Sequence, residues 1–125
     1  MKKRIIPISL PVTGEEEWHA LKEPLKTGWL TAGPKVRAFE DAFAERHKVK
    51  HAIAVTSATT ALHLALVALD IKPGDEVIVP AFTWVSTANV VLYQGAEVVF
   101  CDIDPKTFNI DPVKLKEKIS YRTKA

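Results

Sequence analysis

The spacing of hydrophobic positions changes near residue 51, and the change predicts two kinds of structure. Before it, Val36, Phe39 and Phe43 recur at helical spacing among charged residues, which predicts an amphipathic helix beginning at Pro34. After it, short continuous apolar runs alternate with helical stretches. Continuous apolar strands between helices are typical of a parallel sheet covered on both faces. The pattern therefore predicts an α/β fold.

The predicted elements follow one another along the whole chain. Thr13 matches the N-cap of a capping box, with Glu16 three residues later as its partner. This motif predicts a first helix running to about Lys26. The later part alternates strands with helices, namely strands at 52–55, 77–79 and 98–101, and helices at 59–69, 83–93 and 112 to about 119. A further parallel strand should follow the last helix, and residues 121–125 lie where it would begin. We therefore expect the N-terminal piece of a longer protein.

Composition narrows the class of protein. The chain is 47% apolar and 26% charged, which is typical of a soluble globular domain. A net charge of +2 gives no reason to expect a nucleic acid or a membrane as partner. The start, MKKRIIPISLPV, is interrupted by Pro7 and Pro11 and does not follow the signal-peptide pattern, so we expect a cytoplasmic protein. The single cysteine, Cys101, lies in an apolar run and is predicted to be buried and inert.

A hydroxyl-rich turn, Ser57-Ala58-Thr59-Thr60, opens the helix predicted at 59–69. The first N–H groups of a helix have no partner within it, and together with nearby hydroxyls they form a natural phosphate site. The alternative is a capped helix without a ligand, since Ser and Thr are common N-caps. The chain has neither a Walker loop nor a GxGxxG fingerprint, which weakens nucleotide triphosphate and dinucleotide hypotheses.

Trp84 comes just after the carboxyl end of the strand predicted at 77–79. Ligands of open α/β sheets bind beyond those strand ends, so Trp84 is placed to cover an aromatic ring attached to the phosphate. The alternative is a core aromatic at a helix start. Because the Ser57 turn and Trp84 follow neighbouring strands, they together favour a phosphate-bearing aromatic ligand.

The remaining candidates have simpler interpretations. Trp29 lies in a glycine-flanked loop and either lines a site or fills the core, and composition favours the core. His63 is expected to be a packed core or interface residue, and no histidine has metal-ligand spacing. Asp102 and Asp104 are either paired carboxylates or, preferably, parts of a turn. No metal site is predicted.

Several motifs in one order resemble the N-terminal third of the DegT/StrS family of sugar aminotransferases. The resemblance covers nearly the whole chain and rests on the segments at 15–17, 28–34, 39–44, 57–66, 73–77, 80–84, 102–105, 109–112 and 122–125. It implies the parallel-sheet part of a fold-type-I large domain, the aspartate aminotransferase-like fold of pyridoxal-phosphate (PLP) enzymes, here truncated. Residues 1–33 would then be an N-terminal arm, helix and substrate loop, and 34–125 an incomplete PLP-binding domain.

The resemblance also implies roles for particular residues. Ala58 and Thr59 would hold the phosphate of PLP, and Trp84 would stack on its pyridine ring. The sugar-substrate pocket would be formed in part by the loop Gly28, Trp29, Leu30 and Thr31. Many members have glycine where this chain has Ala58. The alanine requires an ordinary negative φ at this position of the turn.

The activity implied is transfer of an amino group from glutamate to a nucleotide-linked keto sugar, by a homodimer, in polysaccharide, lipopolysaccharide or antibiotic biosynthesis. No lysine of this chain matches the family's Schiff-base lysine, so no catalytic residue is assigned and the 125 residues alone are expected to be inactive. Two alternatives remain open. One is a PLP-dependent sugar dehydratase of the same family, and the other is a non-catalytic module that binds a phosphate ligand.

Overall fold

The structure is a computed structural model that describes residues 7–125, which divide between Ala54 and Val55 into two compact units. Residues 1–6, on which the interpretation of the chain start partly rests, lie outside the described residues. The functional boundary expected at residue 33 stays a prediction. No helix between residues 7 and 125 is long and apolar enough to cross a membrane.

The first unit contains two helices, α1 (Glu15–Thr27) and α2 (Pro34–His47). The prediction of Thr13 and Glu16 as a capping box is wrong by one residue. Gly14 is the N-cap, and its N–H donates to the Glu17 carboxylate at 2.7 Å. That hydrogen bond holds the pKa of Glu17 below its ordinary value. The helix predicted to begin at Pro34 is confirmed.

The strand predicted at 52–55 is wrong, because the described chain forms no strand there. The N–H of Ala54 donates to the side-chain Oε1 of Glu40 at 2.9 Å, and Ile53 is 79% exposed. A strand requires a neighbouring strand to accept its N–H groups. Here a side chain takes that place, and the apolar run forms no strand.

The second unit alternates helices and strands as the sequence predicts, in the order α3 (Ala58–Ala68), β1 (Glu76–Pro80), α4 (Ser86–Tyr93), β2 (Glu97–Cys101) and α5 (Pro112–Lys118). Helix α3 packs against α4, and α4 contacts both strands. The buried core lies between these layers and consists of Leu66, Ile71, Val77, Val79, Val90, Val91 and Ala96. Asp111 caps α5 by accepting from the N–H of Val113 at 2.8 Å, which confirms the predicted start of that helix.

The two strands are parallel, with Glu76 opposite Glu97 and Pro80 opposite Cys101. The other edge of β1 is occupied by the end of the chain. The backbone N–H of Glu76 donates to the carbonyl oxygen of Arg122, and that of Ile78 donates to the carbonyl oxygen of Ala125, both at 2.9 Å. The predicted position of a further parallel strand is therefore confirmed by its first hydrogen bonds, and β1 lies between two neighbours.

Glu76 is a buried carboxylate at the start of β1, only 5% exposed. Its Oε2 accepts from the Ser120 hydroxyl at 2.5 Å, and its Oε1 lies 2.5 Å from the Arg122 guanidinium. The negative charge of Glu76 raises the pKa of Arg122. A buried charge is costly unless it is paired and hydrogen-bonded, and Glu76 is both.

Candidate functional site

The start of α3 is fixed by hydroxyl groups. Ser57 is the N-cap in extended backbone, and its Oγ accepts from the N–H of Thr60 at 3.1 Å. The hydroxyl of Thr60 lies 3.0 Å from that of Ser57 and 3.3 Å from that of Thr56. These bonds hold the turn in shape and occupy the N–H at the third helical position.

The backbone N–H groups of the first two residues of α3, Ala58 and Thr59, are left available. Among residues 7–125, no acceptor is bonded to the backbone N–H of Ala58 or of Thr59. Ala58 is exposed and Thr59 is half-buried. Free N–H groups at the positive end of a helix attract an anion, and phosphate oxygens can accept from both groups at once. The start of α3 therefore has two free donors from which a phosphate group can accept hydrogen bonds.

Trp84 lies in the loop between the end of β1 at Pro80 and the start of α4 at Ser86. Its side chain is 77% exposed, so the alternative of a core aromatic is wrong. Helix α4 begins at Ser86, three residues later than predicted, and the hydroxyl of Thr83 in the preceding loop lies 3.1 Å from that of Thr87 in the helix. The exposed indole is available to cover a flat ring.

The structure places the Ser57 turn and Trp84 in one compact unit, where α3 packs against α4. It does not place them at the ends of neighbouring paired strands, because the strand predicted before Ser57 is not formed. The loop Gly28, Trp29, Leu30 and Thr31 belongs to the first unit. The residues of each predicted site thus lie within one unit.

The Trp29 loop follows α1, whose C-cap Gly28 has a left-handed φ of 72°. The indole Nε1 donates to the carbonyl of Ala32 at 3.1 Å, and a Cβ on Gly33 would overlap the indole ring. Trp29 is 56% exposed, so the interpretation as a core residue is wrong. Leu30 is also exposed. The glycine at position 33 is required by the close approach of the ring and not by its own φ of −168°.

A cleft of about 130 Å³ lies next to Trp29 and is lined by Glu23, Pro24, Thr27, Trp29, Thr31, Gly33, Pro34 and Lys35. Lys35 and Glu23 form an ion pair at 2.5 Å on its wall. Neither charged residue was predicted from the sequence, because they lie on separate helices, α1 and α2, and the spacing within one helix does not show which residues of two helices meet. The cleft includes Trp29 and Thr31 of the predicted substrate loop.

The aspartates after β2 are confirmed as a turn. Oδ1 of Asp104 accepts from the N–H of Lys106 at 2.6 Å, and Asp102 lies 2.9 Å from the Nζ of Lys114. The hydrogen bond and charge of Lys114 hold the pKa of Asp102 below its ordinary value, and Asp102 in turn raises the pKa of Lys114. Asp102 and Asp104 therefore each bind a different partner, Lys114 and the N–H of Lys106, and do not act as paired carboxylates.

Other reactive side chains have structural partners. Cys101 is fully buried, as predicted. His63 packs edge-on against Tyr93 with ring centres 5.5 Å apart, as its predicted packing role requires. Within the described range 7–125, no group of three or more His, Cys, Asp or Glu could hold a metal ion.

The chain has a parallel α/β unit, and the solved structures similar to it include PLP-dependent aminotransferases of fold type I. The chain belongs to the DegT/DnrJ/EryC1/StrS aminotransferase family, whose sequence profile matches residues 11–125. The family resemblance and the fold class predicted from the sequence are confirmed.

Three relatives illustrate the family. The spore coat polysaccharide biosynthesis protein SpsC of Bacillus subtilis is 52% identical over 124 residues, which cover 99% of this chain and 32% of SpsC. A Streptococcus pneumoniae protein described as a sugar aminotransferase, solved in its PLP form, is 37% identical with a TM-score of 0.86. That match covers 94% of this chain and 30% of the solved one.

The third is the Escherichia coli GDP-4-keto-6-deoxy-D-mannose-3-dehydratase with bound hydrated PLP, 35% identical with a TM-score of 0.85. That match covers 94% of this chain and 32% of the dehydratase chain. The chain thus spans about a third of the length of these relatives. The family is PLP-dependent, which confirms the predicted cofactor.

Proposed function

We propose that the complete protein is a PLP-dependent aminotransferase that moves an amino group from glutamate to the keto carbon of a nucleotide-linked sugar. The observation that carries this proposal is the pair of free N–H groups on Ala58 and Thr59, which fits a phosphate within a unit that also exposes Trp84. The relation to SpsC supports a role in making a polysaccharide.

The residues of this chain bind and orient the cofactor. Ala58 and Thr59 hold its phosphate, and Ser57 with Thr60 keeps the turn in shape. Trp84 covers the ring and excludes water from one of its faces. PLP, when bound, supplies an electron sink for the carbon that gains or loses the amino group. We assign no proton transfer to these residues, and the 125-residue chain alone is proposed to be inactive.

The loop Gly28, Trp29, Leu30 and Thr31 is proposed to contact the sugar substrate. Its support is the cleft beside Trp29, where an aromatic ring, two prolines and the Lys35–Glu23 ion pair lie together. Apolar faces with a few placed polar groups are typical of small-molecule sites. We also propose that the complete protein is a cytoplasmic homodimer.

A dehydratase of the same family is the second candidate, because the similarity to the Escherichia coli dehydratase nearly equals that to the aminotransferase. One experiment separates the two. The complete protein is incubated with PLP, glutamate and a nucleotide-linked keto sugar. Stoichiometric 2-oxoglutarate and amino sugar support the aminotransferase. A deoxygenated sugar without net amino transfer supports the dehydratase, and neither product with retained PLP supports a binding module.

The cofactor assignment is tested by substitution at Trp84. Stacking on an aromatic ring is worth roughly 1–3 kcal/mol for a nucleic-acid base, so Trp84→Ala should weaken PLP binding by roughly tenfold or more. Trp84→Phe keeps a ring and should recover much of the affinity. Trp18→Ala, which removes an exposed tryptophan from α1, is the matched control. Unchanged PLP affinity in Trp84→Ala would contradict the stacking role.

A further inference from the structure

The segment after β2 forms a small hairpin that holds Phe108 in an unusual backbone conformation. Ile103 pairs with Ile110 in an antiparallel bridge, and the N–H of Asp104 donates to the carbonyl of Asn109 at 2.8 Å. At its tip Phe108 has a φ of 60°, in the left-handed region that bulky side chains avoid. Such a conformation persists only where the surrounding structure imposes it.

The restraints that impose it come chiefly from Asp104. Its carbonyl accepts from the N–H of Phe108 at 2.8 Å, and its Oδ1 accepts from the N–H groups of Lys106 at 2.6 Å and Thr107 at 3.3 Å. The hydroxyl of Thr107 accepts from the N–H of Asn109 at 3.4 Å. The hairpin is therefore fixed from inside, and its tip does not depend on the core.

The ring held at this tip contacts the loop that carries Trp84. The rings of Phe108 and Phe82 lie 5.8 Å apart at an angle of 43°, within the usual geometry of aromatic pairs. Phe108 is 60% exposed and Phe82 is 67% exposed, so burial in the core does not account for the pair. Phe82 precedes Trp84 by two residues.

The other restraints on the Trp84 loop act on its backbone and on a threonine. The N–H of Ala81 donates to the carbonyl of Cys101 at 2.8 Å, and the carbonyl of Trp84 accepts from the N–H of Thr87 at 3.0 Å. Thr83 contacts Thr87 through the hydroxyls. These bonds fix the two ends of the loop, and the contact with Phe108 restrains Phe82 between them.

We infer that Phe108 is a positioning residue for Trp84. Its ring holds Phe82, and Phe82 holds the loop so that the indole faces the cofactor ring. This inference rests on the proposed stacking of Trp84 on PLP. The left-handed conformation of Phe108 is then explained as the means of directing its ring at Phe82.

The test uses the complete protein labelled with 5-fluorotryptophan, in which loss of one fluorine resonance in Trp84→Phe identifies Trp84. Phe108→Asn removes the ring and keeps a residue that tolerates left-handed backbone. We expect the Trp84 resonance to shift or broaden without PLP, and PLP affinity to fall roughly two- to tenfold, the range expected for an aromatic pair. Phe108→Tyr should restore both, and Tyr121→Ala, at a highly exposed aromatic, should change neither.

The outcomes separate this inference from the proposed function. An unchanged Trp84 resonance in Phe108→Asn overturns the positioning role. A changed resonance that Phe108→Tyr restores supports it, even without cofactor. If the resonance responds in this way but Trp84→Ala leaves PLP affinity unchanged, the contact is supported and the stacking function is overturned.

Discussion

Arg122 contacts Glu76 across the edge of β1, with Nη2 of the arginine 2.5 Å from Oε1 of the glutamate. The same guanidinium reaches Glu97 at the start of β2 through Nη1 at 2.9 Å. One side chain therefore joins the beginnings of both strands to the segment that pairs with β1. Of the three side chains only Glu76 is buried, so its partners decide whether its charge is tolerated.

Glu76→Ala should destabilise the chain by about 1–3 kcal/mol, because the Ser120 hydroxyl loses its acceptor in a partly buried position. Glu76→Gln should cost less, since the amide oxygen can still accept from Ser120. Urea unfolding followed by circular dichroism measures both. Glu117→Ala on the exposed face of α5 is the control, and an equal cost for it and Glu76→Ala would contradict the prediction.

Ala58→Pro should weaken PLP binding while leaving the helix intact. It removes the N–H at the first position of α3, where proline is tolerated, and α2 and α5 already begin with proline. The extended backbone of Ser57 suits a following proline. Loss of one hydrogen bond to a charged group should lower PLP affinity roughly ten- to a hundredfold.

The matched control is Ala58→Ser, which keeps the N–H. Titration of PLP by fluorescence measures the affinity, and thermal unfolding of the cofactor-free protein shows whether the helix is intact. Equal PLP affinity of the Pro and Ser variants would show that the N–H of residue 58 does not bind the phosphate. A large loss of thermal stability in the Pro variant would show that the turn, and not the donor, was changed.

Gly33→Ala should displace the indole of Trp29, because the added Cβ would overlap the ring. Forced repacking of this kind costs about 1–3 kcal/mol. Gly14→Ala is a close control, since Gly14 is also a helix N-cap with extended backbone and its Cβ would meet only Glu17 Oε2 at 3.8 Å. A shift of tryptophan emission in Gly33→Ala alone is the expected result, and equal spectra for both variants would contradict it.

The ion pair of Asp102 and Lys114 should make stability depend on pH at both ends of the scale. The pKa of Asp102 is lowered in the fold, so its contribution is present above the ordinary value near 3.8 and is lost as the pH falls through the lowered value. The pKa of Lys114 is raised, so its contribution is present below 10.5 and is lost as the pH rises through the raised value.

The difference in thermal midpoint between the natural chain and Asp102→Asn should therefore be greatest near neutral pH and shrink towards both extremes. Asp70→Asn is the control, because Asp70 and Lys72 form a looser exposed pair at 3.4 Å. A difference for Asp102→Asn that stays constant from acid to alkaline pH would show that the ion pair is not its origin.

The sequence predicted those elements whose signals are local. Asp111 before Pro112 and Pro34 after Gly33 each determine the start of a helix through nearby residues, and the structure confirms both. The strand at 52–55 was wrong because an apolar run becomes a strand only beside a partner, and its Ala54 N–H bonds to Glu40 instead.

The candidate site was predictable only in part, for a similar reason. Free donors at a helix start follow from local geometry, so the Ser57 turn could be predicted. The packing of Phe108 on Phe82 and the placing of the Trp29 ring over Gly33 depend on how loops fold back, which hydrophobic spacing does not encode. The exposure of Trp84 and Trp29 is likewise a property of the folded chain.

The position of β1 between two neighbours has a consequence for the order of events during synthesis. Ser120, which donates to Glu76, leaves the ribosome 44 residues after it. Until then one edge of β1 has no neighbour from this segment, and the Glu76 carboxylate lacks the partners that make its burial tolerable. The nascent chain therefore closes β1 on both sides only after residues 122–125 have been made.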